Sequence, residues 1–505
     1  VQVDIKHPED QIVTRCNEEK TRKLLADCKT ANYNFIRVWG GGYYPDEYFY
    51  DYCDENGIIV WQDFMFACSA YLLTEEFEET VRGEVRDNVI RLRNHPSLGL
   101  WCGNNEIESA WEYWGLPEDE EAKRDYLIIF EDIIPQVLKA YDPCENTFYW
   151  PSSPSSGGGF KDASSNHAGD MHYWDVWHNF KPIEAFREFY YRFCSEYGFE
   201  SLPDIKTCRA FADETKGDFD LCSPVMEAHQ KCVQGNEKIM YYLAQMVRYP
   251  YDFKQLIYSS QLVQADCIRS NVEHMRRARG RCMGSAYWQV NDSNPVISWS
   301  SIDYFGRWKG LHYYAKRFYA PCLISCDDTH RKKPVLNISN ERMTAFEGIV
   351  RWKLRNNKAE ILQSGEKSVS VPALTAQNVL DIDLSQELVS RTDPREKYLE
   401  YSIMENGKVL SFGTTLFVRP KEFTFLEPAI TYGISESEDK FALTFCAKNY
   451  AKSVCLSLKT ADCVFSDNWF DIHGKEPVTI MIDKSSLSRK MTAQELSEEL
   501  EIMHN

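Results

Sequence analysis

Two glutamates in this sequence stand where an acid and a carboxylate could work as a pair. Glu106 follows the apolar run "LGLWC" and the amides of "GNNE", and Glu196 ends the run "RFCSE". Glycoside hydrolysis needs one carboxylic acid to protonate the leaving oxygen and one carboxylate to meet a positively charged sugar carbon. The aromatic residues near Glu106 predict a buried carboxyl group whose raised pKa keeps its proton near neutral pH. A lone glutamate in such a place is more often a helix cap or an ion-pair partner, so the hypothesis depends on the pair.

The two glutamates are expected at the ends of different strands of a barrel. Seven continuously apolar runs alternate with amphipathic helices before about residue 321, and such runs are typical of strands buried on both faces of a parallel sheet. The runs are residues 34–42, 57–64, 98–105, 147–154, 170–174, 192–198 and 282–292. The pattern predicts a (β/α)₈ TIM barrel over residues 1–321, with its chemistry at the carboxyl ends of the strands. No eighth run precedes the first predicted helix at about residue 18, so we expect the first strand to be missing.

Beyond the predicted barrel, the pattern changes to an alternation of apolar and polar residues with period two. Residues 322–420 predict a β-sandwich, and residues 421–505 predict a second, smaller one after the segment "RPKEF". Both are expected to be immunoglobulin-like. The chain is therefore predicted to combine an α/β catalytic domain with two all-β domains.

The composition argues against several partners and cofactors. The net charge is −19, which disfavours nucleic acid and anionic lipid because both require basic patches. No apolar run reaches the length of a membrane span. We expect no cofactor and no metal, because the sequence has no Cys/His cluster at zinc spacing and Gly40 to Gly42 lack the flanking residues of a phosphate loop.

The cysteines and the first residues bear on the cellular compartment. The seventeen cysteines have no regular spacing, which indicates mostly free thiols in a reducing compartment, and the prediction is cytoplasmic. The polar start, "VQVDIKHPED", lacks the apolar segment of a signal peptide.

Aromatic and polar side chains at the predicted strand ends could surround a sugar. Sugars present flat C–H faces, on which the rings of Trp and Tyr can stack. These residues also fill protein cores, so only those at strand ends are candidates. Besides the two glutamates, the strand ends carry Trp39, Asp63, Asn105, Tyr173 and Trp288.

Four longer stretches carry motifs that go beyond the strand pattern. They are "FIRVWGGGYYPDEYFYDYCDENGIIVWQDFMFACSAY", "RDNVIRLRNHPSLGLWCGNNEIE", "FCSEYGFESLP" and "YWQVND...ISWSSIDYFGRWKGLHYYAKRFYAP". Together they resemble the β-mannosidases of glycoside hydrolase family 2. The combination of "RVWGGG" with "WCGNNE" is specific, and the resemblance runs from about residue 18 through the barrel and weakly into "FSDNWFDI".

The resemblance implies a role for each matching residue. Glu106 matches the general acid/base after the fourth strand, and Glu196 matches the nucleophile that ends the seventh. Asn105 matches the side chain that bonds the sugar's 2-hydroxyl, where contacts strengthen in the transition state. Glu108 is a rival acid nearby, but the family's acid aligns with Glu106. The implied walls of the sugar pocket are Trp39, Trp114, Tyr173 and Trp288.

The sequence also departs from the family pattern. Asn294 stands in "NDSNP" where the family commonly has an aromatic residue, and Glu200 stands where the family usually has glutamine. A carboxylate at Glu200 would raise the pKa of the nucleophile if it faced the site. Family members also carry two N-terminal β-domains, and we expect to find neither these domains nor the first strand in this sequence.

The sequence thus predicts a retaining exo-β-mannosidase that removes terminal non-reducing β-D-mannose from oligosaccharides or glycans. Its expected partner is a β-mannoside oligosaccharide, with neither nucleic acid nor membrane. Two alternatives stay open. One is another family 2 specificity, namely β-galactosidase, β-glucuronidase or exo-β-glucosaminidase. The other is an inactive carbohydrate-binding fragment.

Overall fold

The protein is described by a computed structural model covering residues 2–5, 12–116, 119–144 and 147–505. It divides into two compact units. The first comprises Val1–Phe199 with Gly280–Asn294, and the second comprises Glu200–Arg279 with Pro295–Asn505. The first unit contains the strands whose ends carry the candidate site.

Eight short parallel strands form the centre of the first unit. They are β1 (Gln2–Ile5), β2 (Phe35–Val38), β3 (Ile59–Asp63), β4 (Leu98–Cys102), β5 (Tyr149–Trp150), β6 (Met171–His172), β7 (Cys194–Glu196) and β8 (Ala286–Tyr287). Six of them form a sheet in the order β5-β4-β3-β2-β1-β8, and β6 pairs with β7. Parallel bridges from Cys194 to Ser285 and from Gly198 to Trp288 join β7 to β8. The backbone N–H of Asp170 donates to the carbonyl of Ser155 at 3.2 Å between the segments of β6 and β5. This is the strand order of a (β/α)₈ barrel, so that prediction is confirmed.

The expectation that the first strand is missing is wrong. Gln2–Ile5 pairs in parallel with Phe35–Val38 on one side and with Ala286–Tyr287 on the other. The strand has four residues and its sequence, "QVDI", alternates polar with apolar residues. A search for continuous apolar runs therefore passes over it.

Helices follow most of the strands of this unit, although none lies between β5 and β6 in the described residues. They are α1 (Glu18–Thr30), α2 (Glu47–Asn56), α3 (Glu75–Leu92), α4 (Ile107–Tyr113), α5 (Glu120–Leu127), α6 (Ile134–Tyr141) and α7 (Asp175–His178), with a π-helical segment at Ile128–Ile133. Local signals set their ends. The side chain of Asn17 accepts the N–H of Lys20 at the start of α1, and Gly57 ends α2 with φ 65°, a left-handed conformation that glycine adopts without strain.

The second unit combines helices with two β-sandwiches. Its helices are α8 (Ile205–Cys208), α9 (Pro224–Ala228), α10 (Gly235–Met246), α11 (Phe253–Arg277), α12 (Gly310–Phe318), α13 (Asp393–Glu396) and α14 (Ala493–Glu499). Helix α11 packs against α12. The ring of Tyr258 on α11 stacks on that of Trp469 at 4.9 Å, so helix and final sandwich share a packed core.

The strands of the sandwiches are all antiparallel. The first sandwich has β9 (Cys322–Asp327), β10 (Val335–Asn340), β11 (Phe346–Asn356), β12 (Ile361–Val371), β13 (Thr375–Asp381), β14 (Lys397–Glu405) and β15 (Lys408–Leu416), in sheets β13-β10-β9 and β12-β11-β14-β15. The second has β16 (Thr431–Glu436), β17 (Lys440–Cys446), β18 (Tyr450–Leu458), β19 (Phe470–His473), β20 (Val478–Asp483) and β21 (Leu500–Met503), in sheets β16-β17-β20 and β19-β18-β21. The two predicted sandwiches are confirmed, while the predicted boundaries at residues 321 and 420 stay predictions.

Two general properties of the chain bear on the sequence predictions. Each of the seventeen cysteines is a free thiol. Over the described ranges, every helix is either too short or too polar to cross a membrane.

Candidate active site

Glu106 is held at the carboxyl end of β4 by the strands on both sides of it. Its own N–H donates to the carbonyl of Ser153 beyond β5 at 2.8 Å, and the N–H of Asn105 donates to the carbonyl of Phe66 beyond β3 at 2.9 Å. Between these anchors the backbone of Glu106 takes φ 62°, a left-handed conformation unfavourable for a side chain with a Cβ. The turn starts α4 and directs the glutamate toward the strand ends.

Glu196 is the last residue of β7 and is 4 % exposed. Its carboxylate accepts a hydrogen bond from Nη1 of Arg37 at 2.8 Å and from the indole N–H of Trp174 at 3.3 Å. Its carbonyl accepts the N–H of Tyr173 at 2.8 Å, which ties β7 to β6. The nucleophile candidate is therefore buried, oriented by two donors and paired with one positive charge.

The two glutamates, although 90 residues apart in sequence (196 minus 106), meet in space. One carboxylate oxygen of each lies within 4.8 Å of the other and of a ring nitrogen of His172. Nδ1 of His172 is 2.7 Å from Glu106 and 3.5 Å from Glu196. The imidazole thus stands between the two acids.

Arg37 on β2 organises this cluster. Besides Glu196, its guanidinium donates to Oδ2 of Asp63 at 2.9 Å and to Oδ1 of Asn105 at 2.8 Å. The arginine is 0 % exposed, so each of these charge-assisted bonds replaces lost water. Arg37 fixes the positions of an acid, an amide and the nucleophile candidate at once.

Asp63 has a supporting position instead of the predicted contact with substrate. It is 0 % exposed, and its oxygens also accept the indole N–H of Trp61 at 2.8 Å and the backbone N–H of Gly40 at 3.0 Å. With Arg37, these donors occupy both oxygens. Asp63 therefore neutralises and orients Arg37 and has no surface left for a sugar.

Burial raises the pKa of both acids, and Glu196 alone of the two receives a hydrogen bond from the guanidinium of Arg37. Burial raises the pKa of Glu106 to about 7, against the opposing effects of the Arg37 charge and of bonds from Asn105 and Cys68. Asn105 Nδ2 is 3.2 Å and Cys68 Sγ is 3.7 Å from the same oxygen of Glu106. Burial raises the pKa of Glu196 and the nearby Glu106 adds to that rise, whereas interactions with His172 and Arg37 oppose it. Glu106 can hold a proton at neutral pH, while the adjacent guanidinium favours the charged form of Glu196.

The aromatic residues near Glu106 in the sequence, which were expected to bury its carboxyl group, include Trp101 and Trp111, and both have other contacts. Trp101 stacks on Phe64 at 4.9 Å, and Trp111 packs against Tyr126 and Phe160 at 6.0 and 5.4 Å. That explanation of the burial of Glu106 is therefore wrong. The side chains within hydrogen-bonding distance of the Glu106 carboxyl group are those of Cys68, Asn105 and His172.

Two of the predicted wall residues form a pair of half-buried rings. Trp39 and Trp288 meet edge to face with centroids 5.2 Å apart. Gly41 is required beside Trp39, because a Cβ there would lie 1.9 Å from the indole. Gly40 and Gly41 thus serve close packing, and Gly40 also brings its N–H to Asp63.

The other two predicted wall residues differ from each other. Tyr173 is 3 % exposed, and its ring packs against Phe186, Phe189 and Tyr191 at 5.4, 4.9 and 5.8 Å. The ring of Tyr173 therefore packs in an aromatic cluster, which contradicts its predicted contact with the sugar. The next residue, Trp174, is the one whose side chain contacts Glu196. Trp114 is 51 % exposed at the end of α4, and its contact with substrate stays a prediction.

Sequence reasoning missed several residues of this site. Arg37, Cys68, His172 and Trp174 are not among the predicted site residues. A signal for Arg37 was available, since it is the single charge inside the apolar run "NFIRVW". Of the two departures from the family pattern, Glu200 lies in the second unit, where its carboxylate accepts the amide N–H of Gln230 at 2.8 Å; Asn294 is half-buried.

Two groups of side chains in the described ranges have the composition of a metal site. One is Glu106, His172 and Glu196, and the other is Asp51, Asp54 and His95. Hydrogen bonds join members of both groups, since Nδ1 of His172 lies 2.7 Å from Glu106 and Nδ1 of His95 lies 2.7 Å from Asp54. The Arg37 guanidinium already supplies a positive charge to the first group. The expectation of no metal and no cofactor stays a prediction.

Comparison with known proteins agrees with this architecture. Residues 333–422 match the model of the mannosidase Ig/CBM-like domain, and residues 425–505 match that of an Ig-fold domain. A β-mannosidase B from Aspergillus terreus is 31% identical over 505 aligned residues, which cover 94% of this chain and 59% of the relative. The crystal structure of β-D-mannosidase from Dictyoglomus thermophilum superposes with a TM-score of 0.89 at 29% identity, covering 99% of this chain and 60% of that one. The chain is a relative of the family 2 β-mannosidases.

Two further proteins resemble the chain less closely or over a shorter part of its length. The exo-chitosanase of Amycolatopsis orientalis superposes with a TM-score of 0.73 at 15% identity, which is a likeness of fold. A goat β-mannosidase is 34% identical over 340 residues, or 63% of this chain and 38% of the relative. The chain spans about 59% of the length of the Aspergillus terreus relative and less of the goat one.

Proposed function

We propose that the protein is an exo-acting β-mannosidase that hydrolyses terminal non-reducing β-D-mannose residues with retention of configuration. The observation that carries the proposal is the pair of carboxylates, Glu106 and Glu196, whose oxygens approach within 4.8 Å. Retaining glycosidases hold their carboxyl groups about 5–5.5 Å apart, whereas inverting enzymes leave about 6.5–9.5 Å for a water molecule. The short separation supports retention. The relationship to β-mannosidases supports the choice of sugar.

Glu196 is the nucleophile in this proposal. Its oxygen attacks the anomeric carbon and forms a glycosyl-enzyme as the bond to the leaving oxygen breaks. Arg37, 2.8 Å away, favours the negative charge that this attack requires, and Trp174 orients the second oxygen. The carboxylate needs no general base of its own.

Glu106 is the general acid and then the general base. With a pKa raised to about 7 by burial, it carries a proton to the leaving oxygen in the first step. In the second step the same carboxylate takes a proton from water, whose oxygen attacks the glycosyl-enzyme. The sugar leaves with its original configuration because two inversions have occurred.

Asn105 and three tryptophans are the proposed sugar contacts. Arg37 holds Oδ1 of Asn105, so Nδ2 points toward Glu106 and can donate to a 2-hydroxyl group. Trp39 and Trp288 offer ring faces for the C–H surface of the sugar, and Trp114 offers an exposed ring for the next unit. The substrate is a β-mannoside oligosaccharide.

A panel of nitrophenyl glycosides tests the proposal. The purified protein should release nitrophenol fastest from the β-mannoside, and NMR at early times should detect β-mannose as the first product. Faster release from the β-galactoside, β-glucuronide or β-glucosaminide would replace the sugar assignment. First appearance of α-mannose would contradict retention, and no release from any glycoside would reject the enzymatic function.

A further inference from the structure

Asp170 is a buried carboxylate just before β6 whose hydrogen-bonding capacity is filled. Its Oδ1 accepts the indole N–H of Trp150 at 2.8 Å and the backbone N–H of Ser155 at 3.0 Å. Its Oδ2 accepts the hydroxyls of Ser153 at 2.7 Å and Ser195 at 2.5 Å. A carboxylate offers about four acceptor positions and no donor. Both serine hydrogens must therefore point at Asp170.

This commitment determines what Ser153 can offer to His172. The serine oxygen lies 3.1 Å from Nε2 of His172. A serine has a single hydroxyl hydrogen, and that of Ser153 is directed to Asp170. Toward the imidazole, Ser153 can only accept. Nε2 of His172 must then carry a hydrogen and donate it to Ser153.

The other ring nitrogen follows from the charge of the imidazole. Burial lowers the pKa of His172 to about 4, so the ring is neutral near pH 7 and carries one hydrogen. The charged groups around it are Glu106, Glu196, Arg37 and Asp170. With its hydrogen on Nε2, His172 presents a bare Nδ1 to Glu106 at 2.7 Å. A bare nitrogen at that distance requires a donor, and a protonated Glu106 supplies one.

We propose that Asp170, acting through Ser153, fixes His172 in the tautomer whose bare Nδ1 accepts a hydrogen bond from protonated Glu106. The three residues form a positioning chain for the general acid, and this inference rests on the function proposed above. The chain favours the protonated form of Glu106 in the resting protein. Once Glu106 has given its proton to the leaving oxygen, its carboxylate faces the lone pair of Nδ1, which favours recovery of a proton from water.

The tautomer can be observed without any substrate. In protein labelled with ¹⁵N-histidine, the signal lost in His172→Gln assigns His172, and that signal should report a protonated Nε2 and a bare Nδ1. Asp170→Asn should reverse the tautomer, because an amide donates to Ser153, whose hydrogen then turns to Nε2. An Nδ1–H tautomer in the unmodified protein, or an unchanged tautomer in Asp170→Asn with native circular dichroism, would overturn the proposal. Either result is independent of whether β-mannosides are hydrolysed.

A pH profile tests the consequence for catalysis. Ser153→Ala removes the acceptor of Nε2–H, so the ring can turn its hydrogen to Nδ1 and stabilise charged Glu106. The alkaline limb of kcat/KM should then move down by about one pH unit, the effect of one hydrogen bond on one protonation state. Ser152→Ala is the matched control, because this neighbouring buried hydroxyl donates to Asn104 at 2.7 Å. Equal shifts in the two variants would reject the chain and leave only a packing effect.

Discussion

Two buried carboxylates, one in each compact unit, have opposite protonation behaviour. Glu106 in the first unit has few donors, and burial raises its pKa to about 7. Asp471 on β19 is equally enclosed, but Lys452 and His473, with bonds from the N–H of Ser453 and the hydroxyl of Tyr450, overcome the effect of burial and lower its pKa to about 2. Both bonds to Asp471 measure 2.8 Å.

The difference teaches that burial alone does not determine how a carboxyl group behaves. Charge-assisted bonds of about 2.7–2.9 Å stabilise the ionised form strongly, and Asp471 has two strong donors together with a lysine at 3.7 Å. Glu106 has an amide at 3.2 Å and a thiol at 3.7 Å. Asp471 is ionised because the protein supplies it with strong donors, whereas Glu106, with weaker donors, keeps its proton near neutral pH.

The largest effect is expected from removing Glu196, the proposed nucleophile. Glu196→Ala should lower kcat on every substrate by on the order of 10⁶-fold, as removal of a covalent nucleophile does, because no other carboxylate in the described site is free to attack. The rate is measured with dinitrophenyl β-mannoside. Retention of more than a thousandth of the activity would contradict the nucleophile assignment.

Removing Glu106 should produce a loss that depends on the leaving group. Glu106→Ala should lower kcat/KM about 10²–10⁴-fold for poor leaving groups, the usual value of general acid help. With dinitrophenolate the first step should survive and the glycosyl-enzyme should accumulate, as seen by intact mass. Azide, which needs no general base, should restore turnover and yield β-mannosyl azide. Rescue of Glu196→Ala to a β-product instead would mean that the two roles are reversed.

For the structural carboxylate, the expected effect is on folding. Asp471→Asn should lower the free energy of unfolding by about 3 kcal/mol, because Lys452 loses its buried partner. The measurement is urea denaturation, and the control is Asp483→Asn, whose partly exposed side chain pairs with Lys440 and should change stability by less than about 0.5 kcal/mol. The folded pKa of Asp471 lies below the unfolded value, so its contribution is complete above pH about 4 and disappears as pH falls toward 2. If both variants lost the same free energy of unfolding, the ion pair of Asp471 would be worth no more than the exposed pair of Asp483.

The smallest expected effect is the pH dependence of the proposed activity in the unmodified protein. The protonated form of Glu106 is required and its pKa is about 7, so kcat/KM for a poor leaving group should fall about tenfold per pH unit above that value. A dinitrophenyl substrate is the internal control, since it needs little proton assistance and should lack this limb. An alkaline limb near pH 5 would mean that burial does not raise the pKa of Glu106.

The placement of the two acids could be predicted because they follow continuous apolar runs. Strand β7 before Glu196 is buried throughout, and β4 before Glu106 is buried at its last two residues, Trp101 and Cys102. The carboxyl ends of parallel strands meet at one side of a barrel. Strand β1 was not predicted because four residues with alternating polarity do not form a continuous apolar run. Strands β5, β6 and β8 have only two regular residues each, so the sequence overstates their length.

The side-chain partners inside the site were much harder to predict. Neighbouring residues of an extended chain point to opposite sides, and the segment at β6 follows this rule. His172 and Trp174 face the glutamates, while Tyr173 between them faces the aromatic cluster behind. Asp63 was assigned to substrate because its strand end was known, but its bond to Arg37 depends on a three-dimensional approach that no local pattern encodes.

The left-handed backbone at Glu106 has an evolutionary consequence. A residue with a Cβ at φ 62° loses roughly 1–2 kcal/mol relative to glycine, and a buried carboxyl group adds a further penalty. Random drift filtered only for a stable fold would replace this glutamate by glycine, or by asparagine, with a gain. The glutamate is thus a cost to the fold that only its proposed chemical task would balance, and a variant optimised for stability alone would be the one that had lost it.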